Sequence, residues 1–313
     1  MMKRVCFFAG YDKKGMILPY VSYFLDSLRE FADIYYMADC AMKRSELQKI
    51  SPYVKNAWAY RHGKYDFGSW QELVFKLVPH DVLQEYDEFL FVNDSAFGPL
   101  FSLKPFFDTA EKDVETRAWG LSAFEDDYIG SYFFCVKKEV FFSPAFQNFI
   151  SSVKEEKEVG DVIRNYEKRL PEIFAQAGAE YKTFFNEHGK SIFNDWRYFI
   201  KKGFPLLKLQ IFNRARLYSD REWMPCWRDF IKKNTEYPAE LIDSYLKNIG
   251  LPAACFDSFG FKIKSFWWCV QRIRRKMFRI HFHKKEKILV VFGISCIDTT
   301  KEKSLKKIKT FGI

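Results

Sequence analysis

Asp94 is the residue that type and position single out first. The apolar, strand-like run Phe89–Val92 delivers an amide, a carboxylate and a hydroxyl in succession, Asn93, Asp94 and Ser95, before Gly98 and Pro99 break the chain. A carboxylate flanked by hydrogen-bonding groups at a strand end can meet a polar ligand, although the same residue types also make ordinary turns. The pattern recurs: Asp12, Asp39, Asp66 and Asp94 each lie at or just beyond the end of a strand-like segment, or in the loop leaving it. Any one of them alone reads best as a helix cap or turn residue. As a set they read better as a polar site, because ligands of open α/β sheets bind outside the carboxyl ends of the strands.

The elements that must position these carboxylates are legible in the periodicity. Val5–Ala9, residues 32–39, "NAWAYR" (56–61) and "DEFLFVND" (87–94) read as strands. Between them, residues 17–31 and 43–50 read as helices, as does the segment carrying Trp70, Leu73, Val74 and Leu77 at helical spacing, where Trp70 is expected in the core. Such alternation predicts an α/β fold, a mostly parallel sheet flanked by helices. "TRAWGLSAF" (116–124) and "GSYFFCVKK" (130–138), split by an acidic turn, predict an antiparallel or mixed ribbon. Helices are expected over 139–154 and 159–177, then a strand in "AEYKTFF". The expected organisation is one domain over 1–204, a helical extension packed on it over 205–260, and a basic tail over 261–313.

Composition narrows the class. The 313 residues are 48% hydrophobic and 29% charged, which excludes wholesale disorder. Aromatics at 19% either fill a core or line sugar- and base-stacking surfaces. The net charge of +10 is localised: residues 261–313 carry 15 basic against three acidic groups, leaving a body of 35 basic and 37 acidic. A near-neutral body argues against nucleic acid as a partner, since phosphate binding needs positive charge along a working face. Seven scattered Cys without a CxxC pair predict a reducing compartment, and five His form no metal-ligand pattern. No apolar run reaches the roughly 20 residues that span a bilayer. In the tail, Phe266, Trp267, Val270, Ile273, Met277 and Ile280 recur on one helical face and Arg272, Arg275, Lys276 and Arg279 on the other. An amphipathic helix of this kind reads as attachment to an anionic membrane surface, which would place the chain in the cytoplasm, peripheral on the inner face of the cytoplasmic membrane.

"GKYDFGSW", "YDEFLFVNDSAFGPL", "RAWGLSAF" and "GSYFFCVKKEVFFSPAF" follow one another in the order and style of the rhamnan synthesis protein F family. "VIRNYEKRLPEIFAQAG", "FPLLKLQIF" and "EYPAELIDSYLKN" are similar to its later blocks, so that the resemblance covers residues 3–250 and leaves the tail outside. It implies a GT-A-like, nucleotide-sugar-binding fold. It also implies a glycosyltransferase of bacterial cell-surface polysaccharide assembly, with a nucleotide-sugar donor, rhamnose the leading sugar, and a glycan or lipid-linked acceptor. In such enzymes a short acidic motif after a central strand holds a divalent cation against the diphosphate. "VNDS" takes that place, which makes Asp94 the candidate for metal or sugar contact, with Asn93 and Ser95 as hydrogen-bonding neighbours. One carboxylate stands where the usual motif has two, and a lone carboxylate holds Mg²⁺ or Mn²⁺ weakly unless substrate phosphates contribute.

The remaining assignments follow that chemistry. Amides at the start of the helix after "HGKYDFGSW" could face phosphate, Arg61 or Lys64 could balance diphosphate charge, and Asp66 could accept bonds from a ribose or sugar hydroxyl. Asp12 joins the donor-binding set. Glu167 is the candidate general base of an inverting transfer, in competition with Glu125, Asp126 and Asp127. Two readings rival this one: a non-catalytic nucleic-acid-binding protein that uses the basic aromatic tail, and a sugar-binding module without turnover.

Overall fold

The computed structural model of the chain describes residues 2–124, 128–187, 189–217, 227–251, 278–283, 286–291 and 294–298. The strands in chain order are β1 (Arg4–Gly10), β2 (Asp33–Ala38), β3 (Asn56–Ala59), β4 (Glu88–Asn93), β5 (Ala96–Phe97), β6 (Ala118–Ser122), β7 (Phe133–Lys137), β8 (Tyr181–Phe185) and β9 (Leu207–Lys208). Seven of them form one sheet in the order β3-β2-β1-β4-β7-β6-β8. β1 pairs in parallel with β2 and β4, β2 with β3, and β6 with β8, whereas β7 runs antiparallel to both β4 and β6. The fold is therefore the mixed, mostly parallel α/β sheet that the alternation predicts, with β7 its one reversed strand. β1 and β4 are buried along their whole length, as expected of parallel strands covered on both faces.

Aromatic side chains fill the core between this sheet and its helices. Phe7, Phe89, Phe91, Phe134, Phe141 and Phe146 pack against one another, and the Phe89 and Phe141 rings stack with centroids 3.6 Å apart. Trp70 is fully buried and donates its indole N–H to the Val92 carbonyl at 3.3 Å, which settles it as core.

Two expected helices are broken, each for a local reason. The 139–154 segment splits into helices Lys138–Phe141 and Pro144–Ser151. Ser143 caps the second by accepting from the Phe146 N–H at 3.2 Å, and Pro144 occupies its first position. The 159–177 segment becomes helix Val159–Asn165, a 3₁₀ turn Glu167–Arg169 and helix Leu170–Gln176, with Tyr166 out of helical geometry at φ −125° and Pro171 opening the last piece. Periodicity registers the apolar stripe through Val162, Tyr166, Leu170 and Phe174 but not the break between its halves.

The chain divides into two compact units, residues 1–213 with 227–251, and residues 214–226 with 252–313. In the second unit, β10 (Phe278–His283), β11 (Glu286–Val291) and β12 (Ile294–Asp298) form an antiparallel three-stranded sheet. This corrects the expectation of a tail helix running to Ile280: residues 278–280 belong to β10, while residues 263–277 lie outside the described residues. Among the described residues no helix is long and apolar enough to cross a membrane.

Candidate active site

Strand direction builds the site. The carboxyl ends of β1, β2, β3 and β4 share one rim of the sheet, with Ala9 beside Asn93 and Gly10 beside Ala38. Because β7 is reversed, its amino end comes to the same rim, where the Tyr132 carbonyl accepts the Asn93 N–H at 3.3 Å. β6 ends there too, and the Ser122 and Tyr132 hydroxyls meet at 2.6 Å.

A second segment closes over this rim. β9 pairs with β5, Ala96 opposite Lys208 and Phe97 opposite Leu207, and the ladder is extended by Leu209 N–H to the Ser95 carbonyl (3.0 Å) and Leu100 N–H to the Pro205 carbonyl (2.7 Å). The strap lies so close that a Cβ on Gly98 would stand 2.4 Å from Leu206 Cδ2 and 2.9 Å from the Pro205 oxygen. The pairing carries Lys208 into the site.

There a chain of hydrogen bonds runs through the predicted residues. Lys208 Nζ donates to Ser95 Oγ at 2.6 Å, Ser95 Oγ donates to Asn93 Oδ1 at 2.5 Å, and Asn93 Nδ2 donates to Asp66 Oδ2 at 2.8 Å. Asn93 is buried and so acts as a clamp between the "NDS" turn and Asp66. Asp66 is thereby tied to the turn that carries Asp94, and burial raises its pKa, with the Asn93 hydrogen bond opposing. Asp94 accepts the Tyr11 N–H at 2.7 Å. Burial pushes its carboxyl up to about 7, the Tyr11 bond opposing and the charges of Asp12 and Asp66 adding to the rise.

Glu167 faces the same cluster from the 3₁₀ turn. Its Oε1 accepts from the Ser131 N–H (3.0 Å) and hydroxyl (2.8 Å), while Oε2 has no hydrogen-bond partner among the described residues. Burial raises its pKa, Ser131 opposes, and the Asp66 charge adds. It is a held, partly buried carboxylate with one oxygen unengaged by the described residues. Lys208 is 7% exposed, its ammonium 4.1 Å from the Tyr132 ring centroid. Burial lowers its pKa to about 8, against the pull of Glu167, Asp66 and Asp94.

The structure thus brings Asp66, Asn93, Asp94, Ser95 and Glu167 together and places the other candidates differently. Asp12 organises its own turn, accepting from the N–H groups of Lys14 (2.8 Å) and Met16 (3.1 Å), and takes a bond from Asn248 at 3.3 Å. Lys64 turns away, bonding Glu72 at 2.6 Å and Gln71, so its charge is already met. Glu72, which burial alone would raise, is held down to about 2 by Lys64, Lys76 and Tyr60. Arg61 is exposed on the loop after β3. The amides entering helix Tyr65–Glu72 are engaged as well: Tyr65 N–H by Asp39 (3.1 Å), Phe67 N–H by Asp66 (3.0 Å) and Gly68 N–H by the Lys64 carbonyl (3.0 Å). These three are therefore not open to a phosphate. Asp39 also accepts from His62 (2.7 Å) and Gly63 (2.8 Å), fixing a loop in which Gly63 (φ 73°) and Tyr65 (φ 57°) are left-handed. Glu125, Asp126 and Asp127 lie outside the described residues.

Residue-by-residue reading missed Lys208, Ser131 and Tyr132. A signal for the first was present: in "FPLLKLQIF" a single charge sits inside an apolar run, where burial forces it to find a polar use. As for a divalent cation, no group of three or more His, Cys, Asp and Glu side chains among the described residues could hold one. Asp66 is committed to Asn93 and Phe67, so of these two carboxylates Asp94 is the one that would be left to hold a cation.

The solved structures to which the chain is similar include three transferases. The first is the Pyrobaculum calidifontis mannosyltransferase PcManGT in complex with GDP-Man and Mn²⁺ (10% identity, 65% of this chain and 61% of that one, TM-score 0.39). The second is the glycosyltransferase GlyE of Streptococcus pneumoniae (13%, 77% and 53%, 0.37). The third is core-mannan synthase A of Aspergillus fumigatus in its Mn/GDP form (5%, 48% and 63%, 0.32). No curated protein matches the chain. The model of the rhamnan synthesis protein F family matches residues 34–312, which extends the resemblance through the tail that the sequence blocks had left outside. With most of its length matched, the chain belongs to the rhamnan synthesis protein F family.

Proposed function

We propose that the chain is a glycosyltransferase that moves a sugar from a nucleotide-sugar donor to an acceptor hydroxyl at the rim built by β4, β7 and the β9 strap. One observation carries the reading: Glu167, with one carboxylate oxygen held by Ser131 and the other open, faces the Asp66–Asn93–Asp94–Ser95 cluster. Transfer needs a base for the acceptor hydroxyl, a polar cradle for the sugar and charge compensation for the departing diphosphate. In the reading we favour, Glu167 Oε2 takes the acceptor proton as the acceptor oxygen bonds the anomeric carbon. The bond from that carbon to the donor phosphate oxygen breaks, and its electron pair leaves with the nucleoside diphosphate. Attack from the face opposite the leaving group inverts the anomeric centre. Asn93 and Ser95 orient the sugar beside Asp94. A divalent cation bound between Asp94 and the diphosphate would add Lewis-acid stabilisation of the leaving group.

Family membership makes rhamnose the leading sugar, and a growing cell-surface polysaccharide or lipid-linked glycan the leading acceptor. A thermal-stability screen of nucleotide sugars, with and without Mn²⁺, tests the reading. A bound donor at a hundredfold its Kd stabilises the protein by about 2.7 kcal/mol. No shift with any common nucleotide sugar at millimolar concentration overturns it.

A further inference from the structure

We propose that Lys208 is the anion-receiving group of this site: its ammonium takes the diphosphate of the donor and of the departing nucleoside diphosphate, exchanging its bond to Ser95 for one to a phosphate oxygen. The inference rests on the nucleotide-sugar reading above and names the protein cation which that reading requires. Three carboxylates, Asp66, Asp94 and Glu167, exert their charge on Lys208, so a diphosphate entering here meets like charge unless a cation receives it. Lys64 is paired with Glu72. Arg61 follows β3, an edge strand three places from β4, which at the usual strand spacing is about 14 Å away.

Lys208 differs from both. It is buried, its one hydrogen bond goes to a neutral hydroxyl, one face lies over the Tyr132 ring, and no carboxylate is within ion-pair distance of it among the described residues. Burying an ammonium without a counter-ion is costly, and an arriving phosphate supplies the missing partner. The β5–β9 ladder fixes the position, since Lys208 stands opposite Ala96, the residue after Ser95. Without the Lys208 bond the Ser95 oxygen can accept from a sugar hydroxyl while its own O–H stays on Asn93 Oδ1. Its bond to Asn93, and through Asn93 to Asp66, makes occupancy of the phosphate position felt at the carboxylates.

Calorimetric titration of the full chain with the common nucleoside diphosphates, in chelator and again with Mn²⁺, tests the inference on wild type, Lys208→Met and Lys208→Arg. The expected result is that Lys208→Met binds the preferred nucleoside diphosphate about thirtyfold more weakly in chelator, Lys208→Arg falling between, while the matching nucleoside keeps its affinity within about threefold. A folded Lys208→Met that binds the diphosphate within about threefold of wild type overturns the inference and leaves the nucleotide-sugar reading standing. Should Lys208→Met fail to fold, the wild-type pH profile decides. Lys208 faces Asp66, Asp94, Ser95, Tyr132 and Glu167. With its pKa near 8, diphosphate affinity in chelator falls about tenfold per pH unit above that value, and a flat profile from pH 7 to about 9.5 overturns the inference. If wild type binds no nucleoside diphosphate under either condition, the inference and the nucleotide-sugar reading fall together.

Discussion

At the residue scale the site is a set of carboxylates held away from their ordinary ionisation. Asp94 is the sharpest case, pushed up to about 7 by burial and by the charges of Asp12 and Asp66. Its folded-state pKa is raised above the unfolded one, so the native state binds the extra proton over the intervening range. The stability associated with protonated Asp94 is therefore fully present near pH 4 and is lost as pH rises through about 7. Asp94→Asn, which removes the charge at constant shape, is expected to raise thermal stability at pH 7.5 by on the order of 1–3 kcal/mol, the partial exposure of the rim keeping the gain below the full shift. The same variant is expected to lose transfer activity by about a hundredfold or more, near 2.7 kcal/mol of barrier. A variant that is neither more stable by calorimetry nor less active by more than about threefold shows Asp94 to be a turn residue. The opposite signs of the two effects mark a functional group, since a structural carboxylate loses stability when neutralised.

At the element scale, the parallel half of the sheet and its rim of aspartates were legible because parallel strands read as apolar runs and end in polar turns. Asn93, Asp94 and Ser95 announced themselves in this way. The reversed strand β7 was legible as a ribbon, but the consequence that Ser131 and Tyr132 reach the rim requires the strand order, which no local pattern encodes. The strap was hidden for a different reason: β5 and β9 are two residues each, too short for any periodicity, and they meet across more than a hundred residues of chain. Lys64 misled because a glycine-flanked lysine resembles a phosphate ligand until Glu72, two helical turns on, is seen to hold it. Gly98 tests the strap. In Gly98→Ala the new methyl meets Leu206 Cδ2 and, with less room to yield, the Pro205 carbonyl. The strap must shift, and Lys208 with it. Nucleotide-sugar affinity is expected to fall about tenfold or more while the fold survives, and unchanged affinity by calorimetry breaks the link between strap and site.

At the scale of the whole molecule, the neutral body and the basic tail remain separate in character, but the family match runs to residue 312, so the tail is part of what this family shares. Truncation after Leu251, the last residue of the first unit, removes the basic segment. The truncated chain is expected to keep nucleotide-sugar binding and to lose co-sedimentation with anionic vesicles. Full-length binding is expected to weaken as salt shortens the Debye length from about 10 Å at 0.1 M to about 3 Å at 1 M. Equal co-sedimentation of the two forms contradicts the expectation that the tail attaches to membranes.

The proposed donor site is the rim where β4, β7 and the β9 strap converge, and hydrogen–deuterium exchange with and without a saturating nucleotide sugar locates it. Protection is expected for Asp94–Gly98, for the Ser131–Phe133 entry to β7 and for the strap around Lys208, all three segments together and in the same donor titration. A cavity lined by Tyr23, Phe31, Pro99, Leu103 and Tyr237 offers the contrast. Protection confined to that cavity, with Ser131–Phe133 and Lys208 exchanging as in the free protein, would contradict the account.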